Sequence, residues 1–177
     1  MGARRNNICL IGYMGSGKTS VGRFVSDRLD MAFKDTDEMI ETLEDRSIPQ
    51  IFKESGEPRF RELEHELLCK LSEGDTLRNT VLSTGGGIVM DKGNRPLIKD
   101  LGTVFYLRAG ADTLYKRVGK GAGRPLLDTD DMYKKICDML ILRGPVYEEC
   151  ADHIIDTDEL DIAGAAKKIL EIWRTIV

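Results

Sequence analysis

No stretch of the 177-residue sequence approaches the roughly 18 consecutive apolar residues that would mark a membrane span. Cysteine is scarce. Cys9, Cys69, Cys137 and Cys150 stand far apart and form no Cys-x-x-Cys pair, which argues against a zinc knuckle or a disulfide framework. Cys9 and Cys69 lie in apolar patterns and read as small core residues. An excess of positive charge is missing too. Lys plus Arg number 26 against 30 Asp plus Glu, a formal net charge of -4, so no broad nucleic-acid surface is expected. A local cationic site for a small anion is still compatible with that balance. The basic start, Met-Gly-Ala-Arg-Arg-Asn-Asn, is followed by an apolar run too short for a secretory signal, and a cytoplasmic protein is expected. Repeats and long linkers are also lacking. With 41% hydrophobic and 32% charged residues, the length fits one domain over 1–177 with a sizeable core and excludes a disordered chain.

Short apolar runs alternate with stretches of helical spacing. Strands are expected at 8–11, 31–34, 81–83, 103–107 and 153–155. Helices are expected at 18–29, where Val21, Phe24, Val25 and Leu29 fall on one side, and at 37–44, 58–72, 112–118 and 162–176. A further helix over 132–149 is expected to break at Gly144-Pro145. Residues 47–52 carry the small cluster Ile48, Ile51 and Phe52. The stretch 119–131 interrupts the pattern with Gly119, Gly121, Gly123 and Pro125 beside Lys120 and Arg124, the make-up of a mobile lid. Such alternation implies an α/β fold, a parallel sheet covered by helices on both faces.

The sharpest motif is Gly12-Tyr13-Met14-Gly15-Ser16-Gly17-Lys18-Thr19, which fits G-x-x-x-x-G-K-[ST] between a strand and a helix. Its glycines let backbone N–H groups turn inward around phosphate oxygens, and the following helix adds a partial positive charge. Lys18 can neutralise phosphate charge, and the Thr19 hydroxyl can ligate Mg²⁺. Asp35-Thr36-Asp37 closes the second strand, where ligands of open parallel sheets sit. One acid can support Mg²⁺ and the other accept a hydroxyl proton; a solvated turn with Asp37 capping a helix is the alternative.

Arg61 sits among acids in Glu-Pro-Arg-Phe-Arg-Glu-Leu-Glu and reads either as a surface ion pair or as a carboxylate grip. Arg143, before Gly144-Pro145, is its possible partner in that grip. Gly85-Gly86-Gly87 after a strand permits either close approach to a ligand or a tight turn. Arg124, in Gly-Arg-Pro-Leu-Leu, is either a cation for transferring phosphate or an incidental loop residue. His65 and His153 show no partner that would make them catalytic, and Trp173 reads as packing.

With these residues in view, the chain resembles the shikimate kinase family over nearly its whole length. The resemblance rests on Gly-Ser-Gly-Lys-Thr at 15–19, Asp-Thr-Asp at 35–37, Phe-Arg at 60–61, the triple glycine at 85–87, Arg-Pro-Leu-Leu at 124–127 and Arg-Gly-Pro-Val-Tyr at 143–147. It implies a three-layer, nucleoside-monophosphate-kinase-like fold with a five-stranded parallel sheet in the order 2-3-1-4-5, a substrate-binding region at about 35–65 and a lid at about 119–131. It also implies ATP-dependent phosphorylation of the shikimate 3-hydroxyl, giving shikimate 3-phosphate and ADP in the route to chorismate and aromatic amino acids.

By the same resemblance, Gly15, Ser16, Gly17, Lys18, Thr19, Ser20, Arg117 and Arg124 meet ATP, with Arg117 against the adenine. Asp37, Arg61, Gly85, Gly86, Gly87 and Arg143 hold shikimate, Thr19 and Asp35 serve Mg²⁺, and Lys18, Asp37 and Arg124 act in catalysis. The implied partners are ATP and shikimate, without nucleic acid or membrane, acting on a monomer. Two departures stand out: the stretch 156–161, Asp-Thr-Asp-Glu-Leu-Asp, lacks the proline common in the family's adenine-side loop, and Thr19 stands where Ser is frequent. A gluconate-type kinase of the same fold and a nucleotide-binding regulatory module without turnover are the competing readings.

Overall fold

A computed structural model describes residues 6–74, 77–118 and 132–176. The centre of the sheet is β1 (Ile8–Ile11), flanked by β3 (Thr80–Ser83) and β4 (Thr103–Arg108); β2 (Ala32–Asp35) and β5 (His153–Asp156) are the edges. All pairings are parallel, with Cys9 opposite Leu82 and Leu10 opposite Phe105, and the strand order is 2-3-1-4-5 as expected. β1 reads Ile-Cys-Leu-Ile without alternation because both of its faces are covered. Ile8 and Leu10 point into a core shared with Val21, Val25, Ile169 and Trp173, from α1 (Lys18–Leu29) and α7 (Ile162–Trp173). Cys9 and Ile11 point the other way, into a larger core with Leu67, Leu68, Ile98 and Ile136. That core is walled by α3 (Ile48–Glu73), α4 (Asn94–Leu101) and α6 (Met132–Cys150). Trp173 therefore packs, as its place in the last helix suggests.

Buried Asn7 staples the lower edge of this sheet. Its amide donates to the carbonyls of Leu77 and Leu101 at 3.0 and 2.8 Å and accepts from the Thr80 N–H at 2.9 Å, so strand and helix ends that meet there keep their hydrogen bonds.

The structure departs from the local expectations in three places. Residues 48–73 are two helical stretches meeting at a kink at Gly56, whose φ of 79° no helix interior tolerates; 58–72 lies in the second as expected, while the 47–52 cluster leads into a first, short helix. Ser47 opens it with a reciprocal capping box to Gln50. α6 does not break at Gly144-Pro145 but runs through to Cys150. The carbonyl that Pro145 leaves without its helical N–H belongs to Ile141, a residue 77% exposed, so solvent can reach this turn of the helix. Helix α4 has no counterpart in the sequence reading: it is short, starts from Gly93 without a side-chain cap, and carries Pro96 in its first turn.

The remaining elements are α2 (Thr36–Glu44), a short 3₁₀ turn (Ile88–Met90) and α5 (Ala111–Val118). No helix among the described residues is long and apolar enough to cross a membrane. The anticipated lid, 119–131, and Arg124 within it lie outside the described residues.

Candidate active site

The pocket opens beyond the carboxyl ends of β1, β2 and β3, where strand order reverses about β1. It has a volume of about 1100 Å³ and is lined from 14–21, 35, 37, 60, 61, 64, 83–87, 117 and 143, together with Thr157 and 160–163. At its floor the phosphate loop runs from Gly12 into α1. Gly15 and Gly17 take φ values of 80° and 97°, a conformation that side chains rarely adopt and that curls the backbone into a cup. Lys18 is buried and its ammonium donates to the carbonyls of Gly12 and Tyr13 at 2.7 and 3.0 Å. The Ser16 hydroxyl is buried in the same cup with no hydrogen-bond partner among the described residues, an orphan suited to a ligand oxygen.

Asp35 caps α2 through one oxygen, accepting from the Asp37 N–H at 3.0 Å; with the other it accepts from the Thr19 hydroxyl at 3.1 Å. Capping falls to Asp35, not to Asp37 as the alternative reading had it. Asp37 is thereby free to turn into the pocket, where its Oδ1 is buried without a partner among the described residues. Burial, reinforced by the charge of Asp35 and offset by Lys18, raises its pKa to about 6. Thr19 and Asp35 offer hard oxygens within reach of one another, a fit for Mg²⁺, which takes few protein ligands and completes its shell with phosphate and water.

Arg61 is ion-paired, as one of its two readings had it. It pairs with Glu57 at 2.8 Å and with Glu64 at 2.7 Å, and its guanidinium also lines the pocket. The triple glycine makes this possible. A Cβ at Gly85 would lie 2.6 Å from Asp37 Oδ1 and 2.8 Å from Glu64 Oε1, and one at Gly87 would lie 2.7 Å from Arg61 Nη2. Close approach, with no side chain to intervene, is what this loop supplies. Arg143 reaches in from α6; it is buried, stands 5.9 Å over the Tyr13 ring and has Nη1 3.5 Å from the Gly86 carbonyl. Lys18, Asp37, Arg61, Gly85, Gly86, Gly87 and Arg143 thus share one cavity.

Several residues escaped the sequence reading. Glu64 is fully buried, with Oε1 unpartnered, and burial raises its pKa to about 7 against the pull of Arg61. Its position three residues after Arg61 was a signal, lost among the neighbouring surface acids. The Ser83 hydroxyl is likewise buried without a partner at the end of β3, opposite Asp35. Tyr147 donates its hydroxyl to the Gly86 carbonyl. Ile48, Pro49, Phe52 and Phe60 add an apolar wall. The stretch after β5 also finds its place: Arg117 donates to the Thr157 carbonyl at 2.8 Å and its hydroxyl at 3.2 Å, which sets Thr157, Leu160, Asp161 and Ile162 on the pocket rim beside the phosphate loop.

A phosphate cradle at the switch point of a parallel sheet, faced by buried acids and guanidinium groups, defines a P-loop phosphotransferase for a small anionic acceptor. The family model for shikimate kinase matches residues 14–174. The shikimate kinase of Stenotrophomonas maltophilia (strain K279a) is 42% identical over 164 residues, covering 93% of this chain and 89% of the relative. That of Burkholderia thailandensis is 40% identical over 164 residues, covering 93% and 88%. Among solved structures, the shikimate kinase of Acinetobacter baumannii in complex with shikimate superposes with a TM-score of 0.89 at 36% identity, over 96% of this chain and 93% of that one. A deoxyadenosine kinase from M. mycoides with bound dATP, at 16% identity and a TM-score of 0.59, shares the fold alone. The chain belongs to the shikimate kinase family, whose members are ATP-dependent kinases.

Proposed function

We propose that the chain transfers the γ-phosphoryl group of ATP to the 3-hydroxyl of shikimate, giving shikimate 3-phosphate and ADP. The observation that carries this reading is the convergence of Arg61, Arg143 and Asp37 on the cavity that holds Lys18. Two guanidinium groups suit a carboxylate, and a buried carboxyl suits a neighbouring hydroxyl. In this reading Arg61 and Arg143 grip the acid of the acceptor, and the loop Gly85, Gly86 and Gly87 closes over its ring. Glu64 holds Arg61 from behind through their 2.7 Å pair.

Gly15, Ser16 and Gly17 present N–H groups to the phosphates, and Ser20 stands beside them on the wall. In this reading Arg117, Thr157 and residues 160–162 serve the adenosine side. Thr19 and Asp35 would hold Mg²⁺, which when bound neutralises phosphate oxygens. Asp37 orients the attacking hydroxyl and takes its proton. As the hydroxyl oxygen bonds to the γ-phosphorus, the bond to the bridging β,γ-oxygen breaks and ADP leaves. Lys18 follows the charge onto that leaving group; Arg124 has the same role by family resemblance. The transfer is in line and loose, so positioning and charge outweigh base strength. The use of ATP supports a cytoplasmic reaction.

A coupled assay of ADP release tests this, with shikimate, gluconate and no acceptor in parallel. Release should depend on shikimate. Equal release with gluconate would shift the reading to another small-metabolite kinase, and none with any acceptor would make the chain a nucleotide-binding module.

A further inference from the structure

Gly86 is gripped from α6. The Tyr147 hydroxyl donates to its carbonyl, and Arg143, one helical turn earlier, has Nη1 3.5 Å from the same oxygen. Tyr147 is held in place independently of this contact: it is fully buried, and its ring stacks on Tyr106 of β4 at 4.9 Å. Burial pushes its phenol well above the ordinary value, so it keeps its proton and donates throughout the neutral range. In a trans peptide the N–H points opposite to the carbonyl. With the Gly86 carbonyl drawn toward Tyr147, the Gly87 N–H is turned away from α6.

The two donors are unequal. At 3.5 Å the Arg143 contact is weak, and Arg143 is also the group that the proposed acceptor's carboxylate would recruit. A lone carbonyl beside Arg143 would compete with that carboxylate.

We infer that Tyr147 is a positioning residue: its hydroxyl fixes the Gly86–Gly87 peptide plane and satisfies the Gly86 carbonyl, leaving the Arg143 guanidinium available to the acceptor. The second half of this inference rests on the acceptor reading above; the first half does not. Tyr147→Phe isolates the hydroxyl because the stacked ring stays. In isotope-labelled protein, the Gly86 and Gly87 amide resonances should shift in this variant while those of Gly15 and Gly17 stay in place. Unmoved Gly87 overturns the positioning role, and this readout requires no acceptor.

In kinetics, the shikimate KM should rise about tenfold, the loss of one buried hydrogen bond, with kcat within about twofold and the ATP KM unchanged. In an Arg143→Ala background the same substitution should change KM by less than about threefold, since the competition it acts through is gone. An unchanged shikimate KM, a parallel rise in both KM values, or an equal effect in the two backgrounds overturns the release of Arg143. Wild-type protein that releases no ADP with shikimate would sink the acceptor reading instead, and the amide test would still decide the peptide plane.

Discussion

The two ends of the pocket are built by opposite means. The phosphate end is one continuous stretch, Gly12 to Thr19, and works through its backbone; even Lys18 rests on two backbone carbonyls. The acceptor end is drawn from four separate segments: Asp37 on α2, Arg61 and Glu64 on α3, the glycines after β3, and Arg143 with Tyr147 on α6. It works through side-chain charge and carries two buried carboxyl oxygens, on Asp37 and Glu64, with no hydrogen-bond partner. A cradle of backbone dipoles recognises phosphate whatever it is attached to. In the proposed reading, acceptor choice resides in the second end, where each charge is placed by a different element.

Substitutions on the two sides should therefore fail differently. Lys18→Met removes the cation of the phosphate end and should lower kcat by about a hundredfold to a thousandfold in the ADP-release assay. Near-normal turnover would refute its assignment. Arg61→Ala should act mainly on KM, raising that for shikimate about tenfold to a hundredfold with the ATP KM unchanged. A fall confined to kcat would remove Arg61 from the carboxylate grip and blur the contrast between the ends.

The smallest effect is on stability and concerns Glu64. Its folded pKa of about 7 lies above its ordinary 4.5, so between those values the native state keeps a proton that the unfolded chain has released. The Glu64 contribution to stability then falls as pH rises from about 4.5 through 7. Glu64→Gln abolishes that titration. In denaturant melts the wild type should lose ground to the variant across this window and hold a constant difference above it; parallel courses would show that Glu64 does not titrate there.

Much of the sheet was legible because parallel strands buried on both faces are written as unbroken apolar runs between helical patterns. β1 and β4 were bounded to within a residue. What misled were residues whose local preference was overridden. Pro145 signals a break, yet its helix continues, on a turn whose Ile141 is exposed to solvent. Asp35 and Asp37 are interchangeable as caps in sequence; only the Asp35 hydrogen bonds to Thr19 and to the Asp37 amide assign them. Tyr147 and Glu64 looked like ordinary helix residues, since neither burial nor a partner more than 60 positions away, as Gly86 is for Tyr147, leaves a local trace.

By itself the sequence determined the phosphate cradle and the layered fold, because both follow from short-range rules: glycines that admit unusual backbone angles, a lysine and hydroxyl at fixed offsets, and the periodicity of apolar residues. Only the tertiary structure decided that Arg61 faces a cavity as well as solvent, that Glu64 is buried behind it, and that Arg143 and Tyr147 meet the same glycine. Those outcomes depend on strand order and helix packing, which bring distant positions together and strip water from their charges, and no spacing along the chain encodes that desolvation.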